Sequence, residues 1–278
     1  MTNLELTAVT GAGAFAAGLL GALTGLGGGM VIVPLLTLVC GVDIRYAIGA
    51  SLVSVIATSS GAAAAYVREG FTNVRIGMFL EIATTLGALA GAFIAGLVST
   101  GAIAVVFGLV LLHSAYLSLQ PPAERPVEQA SDPWAARLRL DSTYPGPDGP
   151  RRYAVQRVAA GFGLMIVAGA LSGLLGIGSG AAKVLAMDRV MQLPFKVSTT
   201  TSNFMIGVTA AASAGVYLHR GYIDPGLALP VTLGVLVGAL GGARLLAGAR
   251  TRSVRLVFSG VVVLLALEML YQGLRGRL

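Results

Sequence analysis

Apolar residues fill almost the whole chain in long runs, and polar positions gather at the run ends and in one window at about residues 120–152. The runs fall at about 6–40, 44–67, 75–98 and 100–118, and again at about 154–193, 196–218, 226–247 and 254–273. A helix crosses a bilayer with about 20 apolar residues, so six of these runs read as single spans. The first run of each half is too long for that. At about 1.5 Å per residue, more than 30 helical residues overshoot a hydrocarbon core of about 30 Å. Each is expected to fold back on itself, and each carries a glycine cluster where the turn would come: Gly25-Leu26-Gly27-Gly28-Gly29 and Gly176-Ile177-Gly178-Ser179-Gly180.

The two clusters belong to a duplication. They lie 151 positions apart, and the same offset superposes Ser51 on Ser202, Arg45 on Lys196, Tyr66 on Tyr217, Gly70 on Gly221 and Gly87-Ala88-Leu89 on Gly238-Ala239-Leu240. The expected fold class is all-α: a polytopic membrane helical bundle of two homologous repeats, each a glycine-broken helical hairpin followed by three spans. Residues 1–120 form the first transmembrane repeat, 121–152 a linker and 153–278 the second repeat. A hairpin plus three spans gives each half odd parity, so the repeats are expected to be inverted.

Charge sharpens that expectation. With hairpins, one side of the membrane collects Arg68, Arg75, the arginines of the central window, Arg189, Lys196, Arg250, Arg252 and Arg255, while the other keeps Arg45, Arg220, Arg275 and Arg277. The positive-inside rule then puts the central window in the cytoplasm and both termini in the periplasm of a cell inner membrane. No basic residue precedes the first run, so the first helix is expected to stay in place.

Composition fits a membrane protein: 55% of residues are hydrophobic, only 11% are charged, and the mean hydropathy is +0.83. Soluble domains average about 25% charged residues. The net charge of +7 is scattered over segment ends without interleaved aromatics, which argues against nucleic acid and for the lipid bilayer as partner. One cysteine and two histidines leave no internal disulfide and no metal cluster, and no cofactor is implied. No nucleophile–base pair is visible, so the chain does not read as an enzyme. No Gly-x-x-x-x-Gly-Lys-Ser/Thr loop is present for nucleotide hydrolysis. The central window, with Pro121-Pro122 and Pro145-Gly146-Pro147-Asp148-Gly149-Pro150, reads as a solvated linker. Within it, Trp134 to Leu140 reads as a short amphipathic piece lying on the anionic leaflet.

Broken membrane helices survive where they are buried or line an aqueous cavity, and their freed amides can face a ligand. Half-helices starting near Gly28 or Gly29, and near Ser179 or Gly180, would point their positive ends at one another and suit an anion. The candidate substrate-binding residues are Gly27, Gly28, Gly29, Ser51, Gly178, Ser179, Gly180, Lys183, Ser202 and Asn203. Lys183 comes three residues after Gly180, where a charge has a task or a partner; pairing with Asp188 or snorkelling to the surface is the plainer reading. Its counterpart at the constant offset is Ile32. Glu81, the one carboxylate well inside a span, is the candidate coupling residue, with a salt bridge to Arg244 or a headgroup-level position as the alternative. The other hydroxyls are expected to bond to their own helices. Gly18, Gly87, Gly91, Gly238 and Gly242 read as helix-packing positions.

The string Gly21-Ala-Leu-Thr-Gly-Leu-Gly-Gly-Gly-Met-Val-Ile-Val-Pro34, the following Ala47-Ile-Gly-Ala-Ser-Leu52 and the echo Gly173-Leu-Leu-Gly-Ile-Gly-Ser-Gly180 resemble the TauE/SafE sulfite exporter family of bacterial inner-membrane permeases. The resemblance implies a secondary transporter of a small anion, sulfite or an organosulfur anion, and a role for Gly25, Gly27, Gly28, Gly29, Pro34, Gly176, Gly178 and Gly180. The chain departs from the pattern at Ser179, Leu185 and Lys183 and in the run Thr199 to Asn203. The working expectation is alternating access, one repeat rocking against the other. An anion channel, a non-transporting membrane subunit and a homo-oligomer stay open.

Overall fold

The computed structural model describes residues 3–24, 28–119, 131–146, 149–246 and 251–276. In the first half, α1 (Asn3–Thr24) and the short α2 (Gly29–Leu38) are followed by α3 (Ile44–Arg68), α4 (Val74–Ala95) and α5 (Thr100–Leu119). A central piece holds α6 (Pro133–Leu138) and the strands β1 (Ser142–Gly146) and β2 (Gly149–Tyr153). The second half repeats the order with α7 (Val158–Leu175), the short α8 (Gly180–Leu185) running into a π-helical turn at Ala186–Val190, then α9 (Phe195–His219), α10 (Pro225–Leu246) and α11 (Thr251–Leu274). The short helices start at Gly29 and Gly180, the same offset that runs through the sequence.

Packing obeys the same correspondence. α1 lies on α10 and α4 on α7, two pairings that exchange when the halves are exchanged; α3 lies on α9 and α5 on α11, each on its own counterpart. The correspondence reaches single residues. A Cβ on Gly18 would overlap the backbone of Val235, and one on the equivalent Gly169 would overlap Thr84, the equivalent of Val235. Gly238 abuts the carbonyl of Phe15 just as Gly87 abuts that of Ile166. Small residues in membrane bundles allow this approach of backbone to backbone.

The contacts also give directions. Gly101 meets Gly273 while Gly108 meets Ala266 and Leu270, so α5 and α11 run antiparallel. Gly49 meets Tyr222 beyond the end of α9 while Gly207 meets Ser59, so α3 and α9 are antiparallel too. Along α4 and α7 the contacts advance together, Gly87 on Ile166 and Gly91 on Ala170. Those two helices, from different halves, run in the same sense.

Among the described residues, α4, the stretch Thr100–Ser118 of α5, and α7 are long and apolar enough to cross a membrane by length and composition. The hydroxyl-rich helices α3 and α9 pack on one another and bury Ser51, Ser54, Ser198, Thr200, Thr201, Ser202 and Thr209.

The central window departs from its expected form as a solvated linker. Residues 131–146 and 149–153 fold. Asp132 caps α6 by accepting from the Trp134 amide at 2.8 Å, and its other carboxylate oxygen accepts from Val158 N at 3.1 Å. The strands pair antiparallel from Ser142 with Tyr153 to Gly146 with Gly149. Ala135, Leu140, Tyr153 and Val155 are buried in a core shared with α4, α7 and α9. The amphipathic reading of Trp134 to Leu140 matches a helix that buries Ala135 and leaves Trp134 exposed. A purely α-helical chain is thus modified by one hairpin.

Candidate functional site

The two chain breaks meet in the interior. Gly28 forms the N-cap of α2, and a Cβ on the next residue, Gly29, would lie 3.1 Å from Ser51 Oγ and 3.5 Å from the carbonyl oxygen of Gly176 in the other half. Ser51 Oγ donates to that same carbonyl at 2.8 Å. Ser202 Oγ, its counterpart, donates to Gly180 O at 3.2 Å. The break of the second half turns through left-handed backbone at Gly176, Gly178 and Ser179, with φ of 67°, 71° and 44°. Glycine adopts this freely; Ser179 does so at a steric cost, the kind of strain that gathers at functional sites.

Ser51 and Ser202 each reach a carbonyl outside their own helix. Thr58, Ser60, Thr199 and Thr200 bond to carbonyls one turn back in their own helices, as side chains of this type commonly do. Ser51 instead satisfies the carbonyl of Gly176, at the C-terminal cap of α7, and Ser202 reaches the carbonyl of Gly180, the first residue of α8. Asn203 is half-buried beside Ser202 and makes none of these hydrogen bonds. Gly27 lies outside the described residues.

Lys183 is fully buried in α8 and donates from Nζ to Thr209 Oγ1 at 2.6 Å. Thr209 Oγ1 lies 2.7 Å from Glu81 Oε1 as well, and Thr85 Oγ1 donates to the same carboxylate oxygen at 3.2 Å. One hydroxyl therefore bridges a buried cation and a buried carboxylate from different halves. This replaces the plainer readings of Lys183; the side chain of Arg244, the alternative partner of Glu81, lies outside the described residues. Lys183 neither snorkels nor relies on Asp188, which lies 3.4 Å from Arg189. Glu81, at 7% exposure, is buried in the protein.

Thr209 is the residue that sequence reasoning missed. Its signal was present: it lies seven residues, two helical turns, beyond Ser202 on the same face of α9. The counterparts of Glu81, Lys183 and Thr209 at the constant offset are Thr232, Ile32 and Thr58, so the charged chain exists on one side of the duplication only.

Open space adjoins the second break. A cavity of about 210 Å³ is bounded by Met30 of α2, Val106, Val110 and Ser114 of α5, Leu171 of α7, and Ile177, Ser179 and Ala181 around the start of α8. Its walls are mainly apolar. Ser179 is buried there, and its hydroxyl has no hydrogen-bond partner.

Comparison with known proteins gives the chain's family. The family described as sulfite exporter TauE/SafE matches residues 10–269. The chain is 29% identical over 266 residues to the probable membrane transporter protein YunE of Bacillus subtilis (strain 168), covering 93% of this chain and 95% of that protein. It is 26% identical over 231 residues to the probable membrane transporter protein YdhB of the same strain, covering 83% and 86%. It is also 26% identical over 276 residues to a probable membrane transporter protein of Xylella fastidiosa (strain 9a5c), covering 98% and 97%. No solved structure matches the chain. With its glycine-broken helices and a match that spans both halves, the chain belongs to the TauE/SafE sulfite exporter family and is a membrane transporter protein.

Proposed function

We propose that the protein is a secondary transporter of a small sulfur-containing anion, bound where the two broken helices meet and released to either side by alternating access. The observation that carries this reading is the contact of the two breaks, Gly29 against Gly176, with Ser51 and Ser202 tied to their carbonyls. Gly28, Gly29, Gly178, Ser179 and Gly180 would bring backbone close to the anion, and Lys183 supplies the positive charge one turn further on. The cavity favours an organosulfur anion over sulfite alone. Its 210 Å³ exceeds the roughly 30 Å³ share of one water several times over, and its apolar walls suit a carbon skeleton.

The two repeats are read as inverted, in the inner membrane, with the central piece cytoplasmic and the termini periplasmic. Equivalent helices that run antiparallel, α5 with α11 and α3 with α9, support this: a twofold axis along the membrane normal would leave them parallel. The arginines gathered around α6 and the hairpin support the cytoplasmic side.

Thermal stabilisation of the purified protein tests the anion reading, against sulfite, sulfate, thiosulfate, methanesulfonate, sulfoacetate and taurine. A ligand at about 100 times its dissociation constant adds about 2.7 kcal/mol. One sulfur anion is expected to stabilise the wild type selectively and to lose that effect in Lys183→Ala. A panel without any shift contradicts the reading. Counterflow in proteoliposomes then separates a carrier from a channel, because only a carrier drives labelled anion uphill by exchange.

A further inference from the structure

We propose that Glu81 carries a proton with the transported anion, Lys183 exchanging its electrostatic partner between the Glu81 carboxylate and the anion, with Thr209 as the bridge. The inference rests on the anion reading above and names its coupling ion.

Lys183 and Glu81 are both buried, at 0% and 7% exposure, and Thr209 Oγ1 lies 2.6 Å from the ammonium and 2.7 Å from the carboxylate. Among the described residues, the ionisable side chain that lines the cavity beside Ser179 is His113 of α5. α7, packed on α4, has no ionisable side chain from Val158 to Leu175. α9 carries three ionisable side chains, all engaged or positioned elsewhere. Lys196 sits 3.5 Å over the Phe71 ring, Tyr217 bonds to the Gly173 carbonyl at 3.2 Å, and His219 is exposed at the helix end. Asp188 and Arg189, beyond α8, lie beside each other.

Without substrate, the cluster is neutral as carboxylate and ammonium. An anion arriving at Lys183 would leave a net negative charge buried, which costs several kcal/mol even after relaxation. A proton taken from water onto the carboxylate restores neutrality: carboxylic acid, ammonium and anion then occlude together. The chemistry balances on the far side, where the anion leaves, Lys183 recovers the carboxylate as partner and the proton returns to water. Glu81 Oε2 is the atom with room for that proton, being buried without a hydrogen-bond partner while Oε1 holds Thr209 and Thr85. The equivalent place in the first half, with Ile32, Thr58 and Thr232, has no charge to exchange, so one proton per anion follows from the asymmetry.

Methanesulfonate is the probe of choice, because it stays a monoanion and cannot itself ferry protons. In proteoliposomes, an inward methanesulfonate gradient is expected to acidify the lumen, and an imposed potassium diffusion potential is expected to leave the flux unchanged. Glu81→Gln is expected to abolish acidification and make the remaining flux follow the potential. Thr209→Val, which keeps side-chain volume, is expected to lower the proton-to-anion ratio, and Thr209→Ser to restore it; this second pair decides the matter if Glu81→Gln fails to fold. Methanesulfonate flux in the wild type without acidification overturns the coupling and leaves the anion reading standing. Absence of flux for both methanesulfonate and sulfite overturns the anion reading and the coupling with it.

Discussion

A methyl group added at Gly87 and one added at Gly163 would have opposite effects, although both residues belong to the α4–α7 pair. At Gly87 the new carbon would overlap the carbonyl oxygen of Ile166, which is backbone and cannot rotate away. At Gly163 nothing lies within 4 Å. Gly87→Ala is expected to destabilise the protein by at least the roughly 1–3 kcal/mol of an overpacked core. Gly163→Ala is expected to gain about 0.5–1 kcal/mol from lower backbone entropy in the unfolded chain. Thermal unfolding in one detergent checks both, and equal shifts would refute close backbone approach as the reason for the first glycine. At this scale much was legible. The offset of 151 picked out Ser51 and Ser202 as equivalent, and both reach broken-helix carbonyls. The Glu81–Thr209–Lys183 chain was not legible as a unit, because its members come from three helices and only packing decides that they meet.

At the scale of elements, the central hairpin shows where composition misleads. Proline and charge gave residues 142–153 the look of linker, yet the fold needs only a few anchors. Asn73 supplies two of them while capping α4: Oδ1 accepts from Ile76 N at 3.1 Å, and Nδ2 donates to Leu140 O at 3.0 Å and Tyr153 Oη at 2.7 Å. Such long-range anchors leave no periodic mark. Burial, above all, pushes the Tyr153 hydroxyl up to about 12, against about 10 for an unfolded tyrosine. Between those values the unfolded chain gives up its proton first, so stability present below pH 10 is lost as pH rises toward 12, by about 2–3 kcal/mol. Tyr153→Phe, which lacks both the proton and the bond from Asn73, is expected to be the less stable protein at pH 8, with the gap narrowed by about 1.4 kcal/mol at pH 11. Parallel melting curves for the two proteins across that range would show that the hairpin is not held by a buried phenol.

At the scale of the molecule, the pairings α1–α10 and α4–α7 cross the boundary between the repeats. Rocking one whole repeat on the other would pull Gly87 and Gly91 off Ile166 and Ala170, so these mixed pairs suit the part of moving units better than the repeats do. Inverted topology has a direct test. Glu69 follows α3 and His219 ends α9, at nearly equivalent positions, and both are exposed. In a Cys40→Ser background, Glu69→Cys and His219→Cys are expected to react with an impermeant maleimide from opposite sides of the membrane. Labelling from one side would make the repeats parallel. Hairpin length and arginine distribution are the sequence's grounds for expecting inverted repeats; they say nothing of the exchange of partners between halves, since α1 and α10 look alike to any apolar neighbour.

That exchange sets an order of events during synthesis. The glycine face of α1 finds its backbone partner only in α10, about 200 residues later, a delay of about 10–40 s at ordinary translation rates. Through that interval the first helix stands in the bilayer with its closest-packing face toward lipid, and a nascent chain cut short before Pro225 never acquires the surface that covers it. The architecture thus turns completion of the ninth tenth of the message into a condition for closing the first.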